Sequence, residues 1–123
     1  MMKSIFYSVA MLLFVLCSCT PKTEVTSPDG NIKWSFKLDE KGAMTYQVSV
    51  NNAPFINASA LGFEEKSGLD LASGFQLVGT SFDSQDETWT QPWGENKSIR
   101  SHYNEMAVNL NNEAGVKLTV RVR

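Results

Sequence analysis

Zinc binding and thiol redox chemistry have almost no raw material in this sequence. Its 123 residues hold two cysteines, Cys17 and Cys19, and a single histidine, His102. A structural zinc site takes four nitrogen or sulfur ligands, more than this supply allows. Charge of one sign is lacking as well: 11 Lys and Arg against 13 Asp and Glu leave a formal net charge of −2. Nucleic-acid binders carry a basic face that neutralises phosphates, and this balance gives no electrostatic reason to expect one. Beyond the first twenty residues no stretch repeats its apolar side chains at the 3.6-residue period of a helix. What is present is alternation.

The first twenty residues, "MMKSIFYSVAMLLFVLCSCT", read as a targeting segment. Lys3 supplies the positive start, and residues 5–16 form an apolar run too short for a bilayer-spanning helix, which needs about 20 residues. Leu16-Cys17-Ser18-Cys19 resembles a bacterial lipobox, with cleavage expected before Cys19. Residues 1–18 are then a lipoprotein signal peptide, and Cys19 is the lipidation site. Several acyl chains on one residue hold a protein to a membrane far better than a single chain. Losing Cys17 leaves Cys19 without a partner for an internal disulfide. The expectation is a protein of the periplasm, anchored by lipid to a bacterial membrane, the outer membrane above all, with residues 19–24 as a tether.

From residue 25 the chain predicts an all-β fold. Ile32, Trp34, Phe36 and Leu38 alternate with polar neighbours, as do Met44, Tyr46, Val48 and Val50. That period of two marks strands with one dry and one wet face. Turn residues separate them: Ser27-Pro28-Asp29-Gly30 before the first, "DEKG" at 39–42 between the two, and "NNAP" after the second. Phe55-Ile56 reads as a short strand, residues 65–74 as a surface loop, and "FQLVGTSF" at 75–82 as a strand buried on both faces. "DSQDE" at 83–87 reads as a hairpin tip. Met106, Val108 and Leu110 alternate again, then Val116 to Val122 after "NNEAG". Strands spaced by turns in this way predict an antiparallel β-sandwich. Ending at Arg123 within a strand pattern leaves an open edge, as expected of a domain incomplete at its C-terminus.

One block stands out from the alternation. "TWTQPWGENKSIRSHYNEMAVNL", together with "VTSPDGNIKWSFKL", "SALGFE" and "FQLVGTSF", resembles the N-terminal domain of glycoside hydrolase family 97. The Trp-x-x-x-Trp-Gly-Glu run, then Ile-Arg and Tyr-Asn-Glu, is its most specific part. The likeness extends over residues 25–123. It implies part of a β-supersandwich similar to galactose mutarotase-like domains, packed in the parent against a (β/α)₈ barrel. That parent would be a Bacteroidetes-type α-glucosidase or α-galactosidase. The family's catalytic carboxylates and calcium ligands lie beyond this stretch, so neither a catalytic residue nor a cofactor is expected within it. The implied role is a non-catalytic, carbohydrate-binding-type domain that braces the barrel and lines the sugar pocket. The alternative is a stand-alone periplasmic lipoprotein that binds carbohydrate or a partner protein.

Trp89, Trp93, Glu95, Arg100 and His102 are the candidates for contact with carbohydrate or with the barrel. Aromatics stack on the apolar faces of sugar rings, while Glu and Arg hydrogen-bond hydroxyls. A plainer account packs both Trp residues in the core or the barrel interface and pairs Glu95 with Arg100. Ser101 and His102 suggest a nucleophile and base, but strand neighbours point to opposite faces. Asp83, Asp86 and Glu87 could offer oxygens to calcium, yet lack a ligand-rich loop motif. Glu64 and Glu65 are strand neighbours and cannot flank one glycosidic bond.

Overall fold

The computed structural model describes residues 21–123; the expected signal peptide and the expected lipidation at Cys19 lie outside them. Nine strands occur among the described residues: β1 (Glu24–Thr26), β2 (Ile32–Leu38), β3 (Met44–Val50), β4 (Ala53–Leu61), β5 (Phe63–Glu64), β6 (Asp70–Leu71), β7 (Phe75–Thr90), β8 (Ser98–Asn112) and β9 (Lys117–Val122). They form a four-stranded sheet, β1-β2-β3-β4, a three-stranded sheet, β7-β8-β9, and the small pair β5-β6. Every pairing is antiparallel. The chain is an all-β sandwich.

Local chemistry sets the turns. Between β1 and β2 the Asp29 carboxylate accepts from the Ser27 hydroxyl and from the Asn31 amide, and the Gly30 N–H donates to the Ser27 carbonyl. Between β2 and β3, Asp39 Oδ1 accepts from the amides of Lys41 and Ala43, 2.8 Å each. Asn51 and Asn52 connect β3 to β4 with φ of 50° and 64°. Two central residues of positive φ match the twist of a tight hairpin, and Asn tolerates that conformation better than other side chains.

The core lies between the two large sheets. Phe36 and Met44 from the first meet Phe75, Met106, Val108 and Leu110 from the second, all at most 2% exposed. Burying each such side chain contributes about 1.5–3 kcal/mol. Met106, Val108 and Leu110 pair with Val122, Val120 and Leu118 of β9, so one face of the second sheet is apolar in register. Trp34, Leu38 and Leu61 pack on this core while staying half-buried.

β7 is longer and wetter than its sequence suggests. Residues 75–82 were expected to be buried on both faces, but only Phe75 is; Val78 is 64% exposed and Phe82 47%. A register shift between Leu77 and Gly79 explains part of this, because a bulge turns the following side chains. Nor is "DSQDE" a hairpin tip. Residues 83–87 pair without a break with β8, Asp83 facing Glu105 and Glu87 facing Ser101. The true tip is the loop 91–97.

Candidate functional site: the β7–β8 arm

The distal parts of β7 and β8 form a two-stranded arm that leaves the sandwich. Residues 81–90 are exposed throughout, and only the inner part of β8, from Met106, carries the buried run. The Asn104 side-chain amide donates to the Thr26 carbonyl at 2.8 Å and fastens the arm's base to β1. At the far end Gln91 closes the loop: its backbone N–H donates to the Lys97 carbonyl, 3.1 Å, and its side-chain amide to the Asn96 carbonyl, 3.0 Å. Gly94 sits in this loop at φ 109°, where a Cβ would lie 2.9 Å from Gln91 Nε2. Pro92-Trp93-Gly94-Glu95 is thus held out as a knuckle, with Trp93 83% exposed.

Register divides the candidates between two faces. Trp89 faces Ile99 across the arm, and Glu87 and Gln85 follow on the same side opposite Ser101 and Tyr103. The Tyr103 hydroxyl donates to Gln85 Oε1 at 2.5 Å on that side. Arg100 and His102 project from the other side, opposite Thr88 and Asp86. Arg100 holds Asp86 with two parallel hydrogen bonds of 2.7 Å, and His102 Nε2 stands 4.0 Å from the same carboxylate. The arrangement therefore brings Arg100 and His102 together around Asp86 and keeps Trp89 away from them. Trp93 and Glu95 ride in the tip loop.

Both partners of the Arg100–Asp86 pair are more than half exposed. The guanidinium's hydrogen bonds hold the Asp86 carboxyl below the ordinary 3.8, with desolvation opposing and the charges of Arg100 and His102 assisting. His102 also lines an open cleft of about 390 Å³ with Ser27, Pro28, Asp29 and Ile32 from the β1–β2 turn. Packing of both Trp residues in the core does not occur: Trp89 is 45% exposed. The expected Glu95–Arg100 pair is replaced by Asp86–Arg100. Asp83 and Glu87 lie on one face of the arm and Asp86 on the other, so these three acids do not converge on one cation.

Gln91 was passed over in the sequence, and Asp86 was weighed only as a calcium ligand at a hairpin tip, not as the partner of Arg100. A turn placed at the Pro- and Gly-bearing loop instead of "DSQDE" would have found Asp86 in that role, since counting back from it sets residue 86 opposite residue 102.

The glycosyl-hydrolase 97 N-terminal family model matches residues 25–123. A Glycoside Hydrolase Family 97 enzyme from Pseudoalteromonas sp. strain K8, solved in complex with panose and in complex with acarbose, is similar in fold and sequence. In both, the TM-score is 0.72 and the identity 36% over 80% of this chain. A beta-arabinopyranosidase is similar too, with a TM-score of 0.70 and 28% identity over the same share. This chain spans 15% of the length of each of these proteins. With the model matched over nearly all the described residues and the sandwich shared with these enzymes, the chain belongs to the glycosyl-hydrolase 97 N-terminal family.

Proposed function

We propose that this chain is the non-catalytic N-terminal sandwich of a periplasmic family 97 α-glycosidase, tethered to the outer membrane through Cys19. Its arm braces the catalytic barrel, and the tip lines the sugar pocket. The observation that carries this reading is Trp93, 83% exposed at the end of a ribbon with no core of its own. An isolated two-stranded ribbon is marginal in water and gains order from whatever it packs against. An aromatic displayed at the tip supplies large apolar area for a sugar face or a barrel loop. The panose and acarbose complexes of the Pseudoalteromonas relative support a glucosidic substrate class for the longer protein. Calcium, where the longer protein uses it, is held by residues beyond this chain.

The test is Trp93→Ala in the longer enzyme that carries the barrel. Loss of one stacking aromatic worth about 1.4 kcal/mol raises KM roughly tenfold. A purely bracing tip lowers the melting temperature and leaves KM alone. If KM, kcat and melting temperature all stay at wild-type values, the arm has neither role and the stand-alone reading gains.

A further inference from the structure

The outer face of the four-stranded sheet carries a groove that shares no residue with the arm. Two cross-strand pairs make its floor: Ser35 with Gln47, and Lys33 with Ser49. Its wall comes from β4. Tyr46 faces Ser59, Val48 faces Ile56 and Ser49 faces Pro54, so β4 carries an extra residue at each of two successive steps. Extra residues of this kind bend a strand and sharpen its twist. The β3–β4 turn, with its two left-handed Asn residues, closes one end. The resulting cleft has a volume of about 440 Å³, within the range of small-molecule sites.

Its chemistry is specific in kind. Ser35 is only 3% exposed, and its hydroxyl donates to Glu24 Oε1 at 3.1 Å, which leaves its oxygen able to accept. Gln47, Asn52 and Asn57 line the groove with three side-chain amides, each both donor and acceptor. Among the described residues, no side-chain hydrogen bond engages these amides; the bond at Asn57 is to its backbone carbonyl. Pro54 and Ile56 add a small apolar wall, and Lys33 is the one charged side chain in the lining. An anion site would gather several cations, and a site for an apolar ligand would be mostly apolar. Groups that donate and accept at once, beside a little carbon surface, match the alternating hydroxyls and C–H faces of a sugar.

We infer that this groove binds a short neutral oligosaccharide, at a second site remote from the arm. The proposal stands whether or not the tip lines a sugar pocket, because the two surfaces lie on different sheets.

The experiment is a titration of the full ¹⁵N-labelled chain with maltotriose, read by amide chemical shifts. Shift changes should cluster at Lys33, Gln47, Ser49, Asn52 and Asn57. Gln47→Ala and Asn57→Ala, each checked for a dispersed spectrum, should weaken binding about tenfold through loss of hydrogen bonds. Glu113→Ala, in the distant β8–β9 turn, should bind like wild type. Absence of shifts at millimolar sugar overturns the proposal. So do shifts confined to Trp89 and Trp93, or binding that both groove variants leave intact.

Discussion

At Gly42 the backbone takes a φ of 70°, and a Cβ there would lie 2.5 Å from the amide nitrogen and the carbonyl oxygen of Phe75. The Gly42 carbonyl also accepts from the Phe75 amide at 3.1 Å, so this turn is fitted to the start of β7. Gly42→Ala must both strain the backbone and push β7 away, a cost of about 2 kcal/mol or more. The melting temperature should fall by roughly 8 °C or more in a thermal scan; an unchanged midpoint would mean that the turn is not seated on β7. Acid sensitivity belongs to the same scale. Asp86 is held below 3.8 by Arg100, Asp29 by the Ser27 hydroxyl and the Asn31 amide, and Asp70 by the Ala72 amide and the Ser73 hydroxyl. A carboxylate whose folded pKa is lowered adds stability that is complete above the unfolded value and drains as pH falls through the folded one. The melting temperature should therefore drop below about pH 4. In Asp86→Asn it should start lower and fall less, which a pH series of thermal scans would show.

Among the elements, the arm and the core diverge in their expected dynamics. The inner part of β8 buries Met106, Val108 and Leu110, whereas the arm's β7 strand exposes every residue from Ser81 to Thr90. Exposed ladders open locally at little cost, and core strands open only with the whole molecule. Hydrogen exchange should thus be fast at residues 83–90 and 98–103 and slowest at 106–110. Equal protection along β8 would contradict a free arm. Met106→Ala should cost about 2–5 kcal/mol by opening a cavity at the centre, while Ser84→Ala on the arm should be near neutral in denaturant unfolding.

The same contrast explains what the sequence made legible. β2, β3, the inner part of β8 and β9 each turn an alternating apolar row toward the core, so their alternation was plain and their boundaries came out well. The arm buries neither face, so residues 83–87 carry no alternation and their polar run imitates a turn. Its candidates were found as residue types, but their division between two faces was not. Arg100 and His102 share Asp86 while Trp89 meets Ile99 only through a register that twelve consecutive pairings enforce, from Gly79 opposite Asn109 to Thr90 opposite Ser98, with no break until the tip. Pro92 and Gly94 were the local cue for the true turn.

For the whole molecule, the sandwich covers its core unevenly. Trp34, Val48, Val50 and Ile56 of the first sheet and Leu118, Val120 and Val122 of β9 stay half-buried, and Phe55, Phe63 and Trp93 are more than half exposed. β4 and β9 are also open edges. Half-covered apolar faces beside unpaired edges favour association. The purified chain should scatter light in a concentration-dependent way and bind an apolar dye. A monodisperse monomer melting well above the usual 45–65 °C of mesophile domains would contradict this.

The proposed division of labour between this sandwich and a separate catalytic barrel is tested most directly by the chain's own hydrolytic rate on aryl α-glucosides and α-galactosides. Arg100 occupies both oxygens of Asp86, and Glu95 stands on the exposed tip loop, whereas a glycosidase works through two carboxyl groups that flank one glycosidic bond. The expected rate is that of the uncatalysed background. Turnover that survives re-purification and disappears in Glu95→Gln or Asp86→Asn would contradict the account.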